Sequence, residues 1–168
     1  MNKILFSKTR DVKSPTRAHD TDAGIDFFLP NKFTEEDIVK SNSVTGDYLG
    51  LSEGKIRIRP QTSLLISAGV KVIVPKGWAL VFFNKSGIAS KKHLIVGACV
   101  IDCGYFGEVH INLINTSDHD IEISEGEKIV QGILLPVGDH QPEEVDDIMK
   151  HTENSARGEG GFGSSGNF

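Results

Sequence analysis

"LLISAGVKVIVPKGWALVFF", residues 64–83, decides the fold class. Val, Ile, Leu and Phe dominate both of its halves, a composition suited to a pleated, half-buried surface. Pro75-Lys76-Gly77 interrupts it, Pro presetting a turn and Gly tolerating positive φ. Two strands around a turn follow. Outward from it, "KIRIR" at 55–59 alternates apolar and polar, and "EVHINL" at 108–113 places Val109, Ile111 and Leu113 on one face. "KIVQGILLP" at 128–136 reads as a further strand. Short β-type runs at intervals of about ten residues, bounded by Gly, Pro, Asn or Asp, are the pattern of an all-β sandwich or barrel. No βαβ crossover, internal repeat or heptad interrupts it.

Two stretches stand apart. "TEEDIVKSNS" at 34–43 opens with a capping box, Thr34 to Asp37, and predicts a short surface helix inside an excursion that runs over 31–54. "EEVDDIMKH" at 143–151 sets Val145, Ile148 and Met149 at helical spacing, then runs into the glycine-rich end "RGEGGFGSSGNF". A glycine-rich end buries too little apolar surface to offset its ordering entropy, so a flexible terminus is expected.

The chain has 168 residues, a size suited to one domain, and a net charge of -5 with no basic block. Stable binding of polymeric nucleic acid, which rests on clustered Lys and Arg, is therefore not expected. A small anion remains compatible, since a pocket can be basic inside an acidic protein. The apolar run near the start is only Ile4, Leu5 and Phe6, far short of a signal core or a membrane span, and cytoplasmic residence is the expectation. Cys99 and Cys103 are the two cysteines, too few for a disulfide framework; small buried thiols are favoured over a zinc site completed by His93 or His110.

Three segments carry chemistry. "DTDAGIDFF" from Asp20 clusters Asp20, Asp22 and Asp26 around Ala23-Gly24, small residues that permit close backbone approach. "NKSGIASKKH" from Asn84 presents Lys85, Ser86 and Gly87 after an apolar strand, a Ser-Gly backbone with adjacent cations that suits phosphate oxygens. It lacks the spacing of a Walker A loop. "VIDCGYFGEVHI" sets Asp102 and Tyr105 at a glycine-rich turn between two strands, where an Asp can also serve as a simple amide cap.

With the tail, these segments appear in an order that resembles the trimeric dUTPases: "DAGID" at 22–26, "KSGIAS" at 85–90, "GACVIDCGYFG" at 97–107, "GEKIVQGILLP" at 126–136 and "RGEGGFGSSG" at 157–166. The resemblance covers nearly the whole chain except the 31–54 excursion. It implies a jelly-roll-like distorted β barrel over 1–152, a flexible lid arm over 153–168, and a homotrimer whose active sites are shared between subunits. It also implies an extended rather than helical 143–151, and extended is the expectation adopted. The implied reaction is hydrolysis of dUTP to dUMP and pyrophosphate, which limits uracil in DNA and supplies dUMP.

Residue by residue, the resemblance makes Asp102 the general base and places Tyr105 under the deoxyribose. Backbone groups of a hairpin spanning Gly97, Cys99 and Ile101 would read uracil. Lys85, Ser86, Gly87, Gln131, Arg157, Gly163, Ser164 and Ser165 would contact phosphates, and Phe162 would stack on the base. Mg²⁺ is the implied cofactor, with Asp26 in its outer shell. Lys85 and Lys128 stand where the family usually has Arg, Asn84 where Pro is common, Cys99 where Gly is frequent and Ser165 where Thr is usual. Cytoplasm, or host cytoplasm for a viral chain, is the implied compartment.

Two rivals bear on the same residues. A dCTP deaminase shares the turn but needs a Glu on the following strand, where this chain has Asn112. A regulatory module acting through a protein partner at the 31–54 excursion is the other, weighed against a tolerated surface loop.

Overall fold

The computed structural model describes residues 3–39, 48–152 and 158–160. The chain divides into two compact units, Met1–Gly138 and Asp139–Phe168.

Among its described residues the first unit has twelve strands: β1 (Leu5–Lys8), β2 (Ile25–Phe28), β3 (Ile38–Val39), β4 (Tyr48–Ser52), β5 (Lys55–Ile58), β6 (Ser63–Ile73), β7 (Trp78–Asn84), β8 (Leu94–Val96), β9 (Val100–Ile101), β10 (Glu108–Asn115), β11 (Ile121–Ser124) and β12 (Lys128–Pro136). One helix, α1 (Ser86–Lys92), follows β7. Three antiparallel sheets result. The first runs β1-β6-β10-β8 with β3 also on β6, the second β11-β5-β4, the third β2-β12-β7-β9. This is the expected all-β, jelly-roll-like architecture.

Alternation sets the faces. Val109, Ile111 and Leu113 of β10 are buried, as are Ile56 and Ile58 of β5, and both sets join one core with Phe27, Leu29, Ile66, Leu80, Ile123 and Ile129. β6 is buried on both faces between Ile66 and Val70, and both of its edges are paired, one by β10 and the other by β1 and β3 in succession.

Four local features add to the sequence reading or depart from it. The turn at Pro75–Gly77 forms, Trp78 N–H donating to the Pro75 carbonyl at 3.1 Å, yet β6 and β7 do not pair. The chain changes sheets there, because β6 takes β10 and β7 takes β12 as partners. The capping motif at Thr34 closes a single 3₁₀ turn, Glu35–Asp37, in place of a longer helix; the Thr34 N–H and hydroxyl both donate to Asp37 Oδ2, at 2.6 and 2.9 Å. Ile38 and Val39 then pair with β6, which holds them extended. Residues 40–43 of that expected helix lie outside the described residues. Ser86–Lys92, for which the sequence reading assigned no secondary structure, is helical, with Ile88 packed against the core and His93 ending the helix at φ 54°.

In the second unit, the expected extension over 143–151 gives way at its end to a 3₁₀ turn, Ile148–His151. Asp147 is the cause: its Oδ1 accepts from Met149 N–H at 3.0 Å and caps the turn.

Candidate active site

Asp26 is 5% exposed, on β2, directly opposite Gln131 of the adjacent β12. A buried carboxylate needs cations, and two reach it. Lys85, the residue after β7 and the cap of α1, pairs with Oδ1, and Lys128, at the start of β12, pairs with Oδ2 at 3.0 Å. Burial alone would raise the Asp26 carboxyl; hydrogen bonds from Lys85 and Lys128, and their charge, outweigh it and hold the group below the ordinary carboxylate range. Gly24 lets the chain pass close to β12: a Cβ there would lie 3.0 Å from the Gln131 Cβ and 2.4 Å from its Oε1.

Beside this triad lies a groove of about 370 Å³ lined by Lys85, Ser86, Gly87, Ile88, Lys91, Lys92, Lys128 and Gln131. Four lysines in one groove suit a polyanion. Ala89 N–H donates the first helical bond of α1, to the Lys85 carbonyl at 2.9 Å, so the amides ahead of it precede the helical ladder. A Cβ on Gly87 would meet nothing within 4 Å, so packing does not demand glycine there, and a bare backbone leaves room for a ligand.

Asp102 and Tyr105 occupy the turn between β9 and β10. Tyr105 N–H donates to the Asp102 carbonyl at 3.1 Å, closing the turn and leaving both side chains exposed. The Tyr105 hydroxyl donates to the Glu108 carbonyl at 2.7 Å.

Gly97 to Ile101 is not a hairpin closed on itself, which corrects the sequence reading. β8 pairs with β10 while β9 pairs with β7, so the segment crosses between sheets. Two asparagines bond to it and to the end of β8 that leads into it. Asn112 accepts from Gly97 N–H through its carbonyl at 3.0 Å and from Ala98 N–H through Oδ1 at 3.3 Å; a Cβ on Gly97 would fall 1.8 Å from that Oδ1. Asn84 accepts from Val96 N–H through Oδ1 at 2.7 Å, while its carbonyl accepts from Gln131 Nε2 at 2.9 Å. Asn84 thus ties the crossing segment to the lysine groove.

Residues 51–166 match the dUTPase family model. The chain belongs to the dUTPase family. It is 31% identical over 150 residues to a deoxyuridine 5'-triphosphate nucleotidohydrolase of Solanum lycopersicum, a match spanning 88% of this chain and 86% of that protein. The enzyme of the same name from Clostridium tetani is 34% identical over 169 residues, covering 98% and 95% of the two chains. Among solved structures, the Staphylococcus bacteriophage 80alpha dUTPase with dUPNHPP superposes with a TM-score of 0.75 at 26% identity, over 99% of each chain.

Within this dUTPase-family fold the expected residues fall into two groups. Lys85, Ser86, Gly87 and Gln131 gather around the lysine groove beside Asp26. Gly97, Cys99, Ile101, Asp102 and Tyr105 lie along the crossing segment and its turn. The Ile101 side chain is in the core, so it offers a ligand main-chain groups alone. Cys99 is half-buried and Cys103 exposed, so they are not the two buried thiols expected; the Cys99 carbonyl accepts from Phe82 N–H at 2.8 Å. Arg157, Phe162, Gly163, Ser164 and Ser165 lie outside the described residues. Lys128, Asn84 and Asn112 were not among the expected site residues. Lys128 and Asn84 were marked only as departures from the family pattern and Asn112 only where a deaminase needs Glu; that Lys128 reaches Asp26 follows from a register shift between Lys128 and Val130.

Proposed function

We infer that this chain hydrolyses dUTP to dUMP and pyrophosphate, with the triphosphate in the lysine groove and the nucleoside against the 97–105 segment. The observation that carries the reading is the lysine-lined groove beside buried Asp26, an anion-suited site on a chain that also bears an exposed carboxylate and ring at the 102–105 turn. Asp102 orients the attacking water and takes its proton as the α-phosphorus is attacked. Tyr105 lies beneath the deoxyribose and leaves no room for a 2'-hydroxyl. Main-chain groups of Gly97, Cys99 and Ile101 read the uracil edge. Lys85, Ser86, Gly87 and Gln131 hold phosphate oxygens, and Lys85, as a point charge, does so without the forked geometry of Arg.

Residues 153–168 act as the lid over the 1–152 domain. Arg157, Ser164 and Ser165 clamp phosphates, Gly163 donates its N–H, and Phe162 stacks on the base. Three copies share the sites; the lysine groove and the Asp102 turn would come from neighbouring subunits. Exposed Leu5, Phe6, Ile73 and Phe106, which line an apolar groove of about 290 Å³, support burial against another copy.

Among the described residues no group of three or more His, Cys, Asp or Glu could hold a metal, while lysines line the groove. Protonated lysines cannot ligate a cation, so Mg²⁺ would be carried by the triphosphate and its waters, with Asp26 in the outer sphere. The ion would neutralise phosphate charge. No helix among the described residues is long and apolar enough to cross a membrane. We place the enzyme in the cytoplasm, or that of the host for a viral chain.

The test is pyrophosphate release with Mg²⁺ from dUTP, UTP, dTTP and dCTP, on the full chain and on one ending at Ser155. Release from dUTP alone, lost on truncation, is expected. Ammonia from dCTP would overturn the reading.

A further inference from the structure

Away from the lysine groove, a second polar network runs to the Tyr105 turn. Glu108 opens β10, where the pairing with β6 shifts register between Glu108 and His110. Its Oε1 accepts from the hydroxyls of Thr9 at 2.6 Å and Ser67 at 2.5 Å and from Arg10 Nε at 3.1 Å; Oε2 accepts from Arg10 Nη2 at 2.9 Å. The fork of Arg10 is thus matched to both oxygens of one carboxylate. Its remaining nitrogen, Nη1, donates to Oδ1 of Asp37, whose side chain is 0% exposed. Asp37 Oδ2 in turn holds Thr34.

On the other side, the carbonyl of Glu108 accepts the Tyr105 hydroxyl, and a Cβ on Gly107 would sit 2.4 Å from that hydroxyl oxygen. The ring therefore lies across the bare backbone of Gly107 with its tip bonded to Glu108, and it stays 43% exposed. A residue clamped by four hydrogen bonds through its carboxylate presents its carbonyl in one orientation, and Tyr105 takes its position from that carbonyl. Asp37 belongs to the root of the 31–54 excursion, which the three-residue turn and β3 build into the first sheet.

We propose that the relay Asp37–Arg10–Glu108 positions the Tyr105 ring, making the root of the excursion a determinant of discrimination between deoxyribose and ribose. This rests on the reading of Tyr105 as the sugar platform. Arg10, Glu108 and Asp37 are positioning residues; none needs to touch substrate. The excursion is then more than a tolerated loop: its first turn supplies the buried carboxylate that orients Arg10. Loss of the relay lets the ring move by a fraction of an ångström to an ångström, enough to admit a 2'-hydroxyl, and displacements of that size alter rates by up to about 10²-fold.

The experiment measures kcat and KM for dUTP and UTP in the full chain, in Arg10→Met, Arg10→Lys and Asp37→Asn, and in each of these combined with Tyr105→Phe, which removes the hydroxyl that reads Glu108. Expected is a fall in the dUTP-to-UTP ratio of kcat/KM of about tenfold in Arg10→Met, smaller in Arg10→Lys and Asp37→Asn. The fall should arise mainly from gained UTP turnover. In the Tyr105→Phe background the same substitutions should change the ratio less than twofold, because the link is already cut. A general loss of packing would lower melting temperature and both activities together and leave the ratio in place. An unchanged ratio, or full additivity with Tyr105→Phe, overturns the relay while wild-type dUTP hydrolysis stands. Should Arg10→Met not fold, Asp37→Asn decides by the same criteria. A wild-type chain that does not hydrolyse dUTP overturns the functional reading on which the relay rests.

Discussion

Asp26→Asn tests the centre of the lysine triad. The substitution keeps the side-chain shape but replaces one acceptor oxygen by an NH₂ donor, so one ammonium faces a donor and both lose their counter-charge. Lys85 is 22% exposed and cannot fully rehydrate in place; its lost charge-assisted hydrogen bond costs about 1.5–3 kcal/mol. Lys128 is 42% exposed and can turn to water, so its share is below about 1 kcal/mol. A total near 3 kcal/mol lowers the melting temperature by about 6–12 °C in a chain of this size. Thermal unfolding at a series of pH values reads it. Because the folded Asp26 carboxyl titrates below its ordinary value of 3.8, its stabilisation is complete above that pH and fades as the pH falls through the lower folded value. The gap between wild type and Asp26→Asn should therefore be full at pH 7 and close below about pH 3.8. Adding Lys85→Met removes the stranded charge and should restore about half of the loss. Equal melting temperatures at pH 7, or a gap that widens on acidification, would refute the argument.

Gly97→Ala should raise KM for dUTP by about tenfold or more, since its Cβ would collide with Asn112 Oδ1, and Asn112→Ala in the same chain should recover much of the loss by emptying that space; steady-state kinetics on the two single variants and the double variant decide it. Gly132→Ala would put a methyl 2.8 Å from Leu80 Cδ1 and 3.0 Å from Phe27 Cε2, and chemical denaturation should show a loss of about 1–3 kcal/mol. Asp102→Asn should lower kcat by about 10²–10⁴-fold with an unchanged melting temperature, because Asp102 is exposed and supports the turn through its carbonyl. Burial alone would raise Glu108, but bonds from Ser67, Thr9 and Arg10 hold it below its ordinary 4.5, so Glu108→Gln should destabilise at pH 7 and converge on wild type below about pH 4.5 in an acid titration of stability.

The amino-acid sequence by itself determined the strands and their inward faces. Residues 55–59 and 108–113 carry a period of two that leaves one face for the core, while 64–73, 78–84 and 128–136 are apolar runs bounded by turn residues. It also marked Asp26, Lys85, Asp102 and Tyr105 as chemical, because polar residues and glycines there break the strand pattern. The tertiary structure decided the rest. Which sheet β7 joins after the Pro75 turn depends on β12, about fifty residues later in the chain, and no local signal encodes that choice. Seven residues with a Gly near their start are a weak helix by propensity, and α1 stands because Ile88 packs on the core. Lys128 meets Asp26 through a register shift, Asn84 joins two site segments by one side chain and one carbonyl, and Arg10 finds Glu108 at a separation of 98 residues. Each pairing is set by how strands lie beside one another, a property of the packed sheets that is absent from any single segment.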